Sequence, residues 1–150
     1  MKMKLILICA LFFHCICANF YGAGNSQVEY EGRYVILSNN SVEFDWSCVT
    51  ANIKFEGTQL YVHMSDSVNQ FNVFLEGKLL FVLNTTSEKK VYPLATGLSH
   101  GTHSMALTRR TEAHFGVTII DGFSTDGNLL PPNPSKKKER RIEFCGDGIT

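Results

Sequence analysis

The 150 residues carry fourteen basic and fourteen acidic side chains, so the net charge is zero. That balance gives no electrostatic reason to expect nucleic acid or an acidic membrane as a partner. Hydrophobic residues make up 44% and aromatic ones 11%, enough for a real core and against global disorder, at a length that suits one domain better than two.

Met1 to Ala18 reads as a secretory signal peptide. Met1-Lys2-Met3-Lys4 is a basic start, Leu5 to Phe13 an apolar run, and Cys15-Ile16-Cys17-Ala18 a small-residue exit with cleavage after Ala18. The apolar run is shorter than the roughly 20 residues a membrane-spanning helix needs. The expected product is therefore secreted and free of the membrane. Cleavage leaves Cys48 and Cys145, which permit one disulfide; their placement in different modules favours two unpaired thiols, small buried hydrophobes in character.

From Val28 to Ser124 the apolar period is two. Val42, Phe44 and Trp46 alternate with Glu43 and Asp45. Leu60, Val62 and Met64 repeat the rule, as do Phe71, Val73 and Leu75, then Met105 and Leu107, then Val117 and Ile119. Turn signals fall between these runs at Ser38-Asn39-Asn40, Glu56-Gly57, Ser65-Asp66, Glu76-Gly77, Asn84-Thr85, Gly97, His100-Gly101 and Asp126-Gly127. Glu76-Gly77-Lys78 is the best hairpin candidate. No window holds a helical apolar stripe. The spacing predicts an all-β domain over residues 28–128, an antiparallel β-sandwich of jelly-roll type with about eight or nine strands.

Residues 129–141 read as a linker: Leu130-Pro131-Pro132-Asn133-Pro134-Ser135 fixes an extended backbone, and Lys136 to Arg141 is a solvated charge run. Residues 142–150 then begin something else. Ile142-Glu143-Phe144-Cys145 is a short apolar strand entering the turn Gly146-Asp147-Gly148. A buried parallel strand delivers a catalytic loop to the top of an α/β sheet in this way, and such a strand needs neighbours.

The histidines His63, His100, His103 and His114 show no metal-ligand spacing, so neither a metal nor another cofactor is expected. His100 and His103 bracket what reads as a turn. Asn39-Asn40-Ser41 and Asn84-Thr85-Thr86 satisfy the N-glycosylation sequon in turn-like stretches. Trp46 reads as a core residue whose N–H needs a partner. Gly57 and Gly122 read as turn glycines. Arg109, Arg110 and Glu112 read as cross-strand charge pairs on a sheet face, and Tyr61, Phe74 and Tyr92 as outward-facing aromatics.

The ordered series of short motifs is more specific. Glu31-Gly32-Arg33 opens the first strand, Val42-Glu43-Phe44-Asp45-Trp46-Ser47 closes the second, and Phe55-Glu56-Gly57-Thr58 turns a corner. Gly97-Leu98, Gly101-Thr102-His103, Leu107 to Ala113, Phe115-Gly116 and Asp121-Gly122-Phe123 follow, ending in Ile142 to Thr150. From Tyr30 to Thr150 this series resembles the N-terminal region of carbohydrate esterase family 2, secreted acetyl-xylan and related polysaccharide deacetylases. The resemblance implies a jelly roll preceding a hydrolase domain of SGNH type, of which residues 142–150 supply only the first strand and turn.

In that family a Gly-Asp-Ser motif carries the nucleophile. Matched position by position, Gly146 and Asp147 are retained and the serine is Gly148. Glycine keeps the backbone N–H and lacks an Oγ, so no acyl-enzyme can form there. The resemblance therefore implies a chain without catalytic residues of its own. It implies an acetylated plant cell-wall polysaccharide as the partner and the missing hydrolase domain in cis. The competing expectation is a free-standing secreted carbohydrate-binding module.

Overall fold

The computed structural model describes residues 18–88 and 90–132. The expected leader before Ala18, most of the expected linker, Cys145, and Gly146, Asp147 and Gly148 lie outside the described residues.

Within them the chain forms twelve strands. They are β1 (Asn19–Gly22), β2 (Val28–Glu31), β3 (Val35–Ile36), β4 (Val42–Phe44), β5 (Thr50–Gly57) and β6 (Leu60–Ser65). There follow β7 (Gln70–Leu75), β8 (Lys78–Asn84), β9 (Lys90–Ala95), β10 (Gly101–Arg109), β11 (Thr118–Thr125) and β12 (Asn128–Leu130). The helical content of the described residues is one 3-10 turn, Ala113–Phe115.

The strands make two antiparallel sheets. One has the order β3-β4-β11-β6-β9, with β1 also on β11; the other has β12-β5-β10-β7-β8, with β2 also on β5. Between β4 and β11 the chain passes from sheet to sheet at almost every connection, the exception being the β7–β8 hairpin. The sequence expectation of a jelly-roll sandwich is met, and β4 to β11 are its eight strands. Additional short strands lengthen the sheet edges. β2 and β12 lie end to end along one side of β5, pairing with Thr50–Ile53 and with Lys54–Glu56 respectively.

Period-two patterning sets the core. Ala51, Ile53 and Phe55 of β5 point inward while Asn52, Lys54 and Glu56 stay partly exposed. Leu60, Val62 and Met64 do the same on β6, as do Phe71 and Val73 on β7 and Met105 and Leu107 on β10. Burying a side chain the size of Phe55 contributes about 2–3 kcal/mol, so these inward faces are the main source of the sandwich's stability. The Glu76-Gly77 hairpin forms with both residues at positive φ, 49° and 74°, the twist that suits a two-residue β-turn.

Several expectations are corrected. Glu31-Gly32-Arg33 ends β2 instead of opening a strand, because Gly32 at φ 101° turns the chain out of the sheet. Gly101 and Thr102 belong to β10 and form no turn between His100 and His103. At the start of β11 the buried side chains are Thr118 and Ile120, while Val117 is exposed and Ile119 half-buried, so the inward phase there is one residue away from that of the apolar pair. Tyr92 turns inward and is buried. Cys48 is exposed, at φ 64° in the crossing from β4 to β5, and is no core hydrophobe.

The two glycines divide. Gly57, at φ 147°, ends β5 in a conformation that a Cβ would strain, as expected. Gly122 lies inside β11, just after Asp121 is squeezed out as a bulge between the partners of Met64 and His63. Its requirement is proximity: a Cβ there would stand 2.3 Å from the Tyr21 carbonyl oxygen and 2.5 Å from the Phe20 ring.

Candidate functional site

At one end of the sandwich β4 finishes at Phe44 and the chain crosses to the other sheet. Val42 and Phe44 anchor the strand in the core, so Glu43 falls on the outer face. Beyond the strand the alternation stops, and Trp46 is 50% exposed instead of buried. This corrects the core reading. Next to it the turn after β2 carries Arg33 and Tyr34 outward, Tyr34 being 39% exposed.

Gly32, Arg33, Tyr34, Val35, Glu43, Phe44, Asp45, Trp46 and Val117 line a cleft of about 410 Å³. The Arg33 guanidinium carbon lies 4.6 Å from the Trp46 ring centroid, a cation–π contact. The Tyr34 ring lies 5.1 Å from that of Tyr30, tilted by 36°. The Tyr30 hydroxyl is buried and meets no hydrogen-bond partner among the described residues. Its burial, and then the neighbouring Tyr34, push the phenol's proton affinity well above the ordinary tyrosine range.

Below the cleft, Arg109 is fully buried. Its Nη1 donates to Thr118 Oγ1 at 2.8 Å and to the Phe44 carbonyl at 3.4 Å. Nη2 donates to the carbonyls of Gly116 and Glu112 at 2.6 and 3.1 Å, and Nε to that of Thr111 at 3.1 Å. Arg109 therefore makes no cross-strand surface pair; it fastens the loop 110–117 over the end of the sandwich. Burial lowers the guanidinium's proton affinity, opposed by the charges of Asp66 and Asp45. Glu112 is exposed beside His114, with 3.2 Å between Oε2 and Nδ1, and Arg110 is exposed.

The remaining candidates are spread out. Asn39 is exposed on a turn, and Asn84 is exposed as the last residue of β8 and not on a turn; Asn39 Oδ1 accepts from Ser41 Oγ at 2.7 Å and Asn84 Oδ1 from Gln70 Nε2 at 3.0 Å. Tyr61 and Phe74 are half-buried on different sheets. His63 Nε2 sits 2.8 Å from Ser124 Oγ, and His103 Nε2 lies 2.9 Å from the Ser99 carbonyl. Among the described residues no three His, Cys, Asp or Glu side chains are grouped so as to hold a metal ion, and no helix is long and apolar enough to cross a membrane. The sequence reading missed Tyr34 and Arg33 as a site. The available signal was the position of Tyr34 and Trp46, each in a turn just outside a strand, Tyr34 before β3 and Trp46 after β4.

Known proteins resemble the chain as follows. The family model described as carbohydrate esterase 2 N-terminal matches residues 30–134. A cellulase/esterase CelE of Acetivibrio thermocellus is 32% identical over 127 residues, 84% of this chain and 16% of that protein. An acetylxylan esterase / glucomannan deacetylase of Cellvibrio japonicus is 32% identical over 110 residues, 73% of this chain and 30% of that one. A solved family two carbohydrate esterase from Clostridium thermocellum, in complex with cellohexaose, superposes with a TM-score of 0.68 at 28% identity, over 73% of this chain and 34% of that chain. The chain thus spans about a third or less of the length of these relatives. With the matching sandwich and a family match running from β2 past β12, the chain belongs to the carbohydrate esterase 2 N-terminal family.

Proposed function

We propose that this chain serves as the glycan-contacting, non-catalytic sandwich of a secreted polysaccharide deacetylase acting on acetylated xylan or a similar cell-wall glycan. The observation that carries this reading is the family match over residues 30–134, set against relatives that extend far beyond the region shared. The hydrolase of such an enzyme belongs to that further region, in cis. Gly148, which has no hydroxyl, supports the absence of ester hydrolysis by the chain itself.

Secretion fits the fold's start. Cleavage after Ala18 leaves β1 whole, since β1 begins at Asn19, whose Nδ2 donates to the Gly127 carbonyl at 2.8 Å. Asn39 and Asn84, both exposed, would take N-glycans in a eukaryotic secretory pathway.

Two measurements on the purified chain test the reading. Retention on insoluble xylan, mannan or cellulose is expected, and loss of retention on all three overturns glycan contact. Acetate release from acetylated xylan should match the blank; release above it overturns the non-catalytic assignment.

A further inference from the structure

We infer that the cleft between Tyr34 and Trp46 is a saccharide-binding site of the sandwich itself, taking one to two sugar units. This deepens the glycan-contact reading and rests on it.

The argument begins with two aromatic rings that are exposed yet held. Trp46 is half exposed while Arg33 braces it at 4.6 Å from the ring centroid. Tyr34 is exposed while Tyr30 braces it at 5.1 Å, and Tyr30 is itself packed on the core. An exposed aromatic normally loses rotamer freedom when a ligand stacks on it. Here a neighbour already restricts each ring, so little is left to lose. The C–H face of a pyranose is apolar and flat, and it stacks on such rings as any apolar surface does.

The polar lining supplies the complementary chemistry. Glu43 and Asp45 lie one alternation apart on the outer face of β4 and just beyond it, with Phe44 between them buried in the core. Carboxylates accept hydrogen bonds from sugar hydroxyls, and the Arg33 guanidinium donates to ring or hydroxyl oxygens. A cleft of about 410 Å³ falls in the usual range of about 300–1,000 Å³ for small-ligand sites. A purely apolar partner would leave the Glu43 and Asp45 carboxylates desolvated, and an anion would face both of them. A neutral polyol with apolar faces satisfies both kinds of lining.

Trp46 is the sole tryptophan of the chain, so its emission reports on this cleft alone. Titration of the full chain with xylohexaose, cellohexaose and mannohexaose, excited selectively at tryptophan, should give a saturable emission change with at least one of them. Tyr34→Ala and the double variant Glu43→Gln/Asp45→Asn should each weaken that affinity by about threefold to tenfold, on the order of 0.7–1.4 kcal/mol. Trp46→Ala, read by retention on the matching insoluble polysaccharide, should lose about tenfold in affinity. Phe74→Ala, on the other sheet, should retain the parent behaviour. Retention that survives Trp46→Ala, with tryptophan emission unmoved by every hexaose, overturns this site while leaving glycan contact by the sandwich standing.

Discussion

Arg109 and Asp66 are joined through one hydroxyl: Thr118 Oγ1 accepts from Nη1 at 2.8 Å and donates to Oδ1 at 3.1 Å. The second carboxylate oxygen of Asp66 accepts from Thr85 Oγ1 at 2.7 Å, and Asn69 Nδ2 donates to Oδ1 at 2.5 Å. Thr111 Oγ1 closes the circuit on Asn69 Oδ1. Arg109, Thr118, Asn69, Thr85 and Asp66 are all buried. The network plugs the end of the sandwich beneath the Trp46 cleft, replacing apolar side chains with satisfied polar ones.

Removing the guanidinium leaves Asp66 buried without its counter-charge and several carbonyls unmet. Arg109→Met should therefore cost about 3–5 kcal/mol, read as a lower urea midpoint. Adding Asp66→Asn should recover part of the loss, because the stranded charge is then gone. A single variant as stable as the parent would show that the plug does not hold the sandwich end.

Glycine substitutions should differ in sign by position. Gly122→Ala drives a methyl into the Tyr21 carbonyl and the Phe20 ring, prising β1 from β11, and should cost about 1–3 kcal/mol. Gly101 in β10 has open space where its Cβ would stand and no positive φ. Gly101→Ala should be neutral or stabilising by up to about 1 kcal/mol, since it restricts the unfolded chain. Thermal melts of the two variants check both signs.

How much of this was legible in the sequence depends on what carries burial. Where apolar side chains alone fill the core, as at Leu60, Val62 and Met64, alternation gives both the strand and its inward face. It fails in β11, because Thr118 is buried through its bonds to Arg109 and Asp66, and polar burial leaves no hydropathy signal. It fails again at Trp46: alternation means something only while the strand lasts, and β4 stops at Phe44. β1 was missed because Phe20 stays exposed and contributes no alternation, its place being set by pairing with Gly122–Thr125 and by the Gly122 gap. The cleft joins turns after β2 and β4, and only the β3–β4 and β4–β11 pairings bring them together.

The Tyr30 hydroxyl gives a prediction of unusual sign. Its ring is packed against the core, but the buried oxygen has no hydrogen-bond partner among the described residues. Tyr30→Phe removes an unmet polar atom and keeps the ring, so stability should be unchanged or higher by up to about 1 kcal/mol. Because the folded state raises the phenol's pKa, the contribution is complete below the ordinary tyrosine value of 10.0 and is lost as pH rises above it. Alkaline denaturation should therefore be milder in Tyr30→Phe. Destabilisation at neutral pH would mean that the hydroxyl has a partner after all.

Asp126 sets the acid limit of the β5–β6 corner. Oδ1 accepts from the backbone N–H groups of Thr58 and Gln59 at 2.8 and 3.3 Å, and Oδ2 from Thr58 Oγ1 at 2.5 Å. Burial works to raise this carboxyl, and the hydrogen bonds from Thr58, Gln59 and its own backbone outweigh it, holding the pKa below the ordinary aspartate value of 3.8. A depressed folded pKa contributes stability that is present above the unfolded value and disappears as pH falls through the folded one. Asp126→Asn should therefore cost stability at neutral pH, by no more than about 1 kcal/mol after solvent screening of this partly exposed carboxylate, because the charge-assisted bonds weaken. The gap between parent and variant should narrow steadily below pH 3.8 and be nearly closed once the parent carboxyl is protonated. Urea midpoints measured across that range decide it: a gap that stays constant with acidification would assign the loss to packing at the corner and not to the ionised carboxylate.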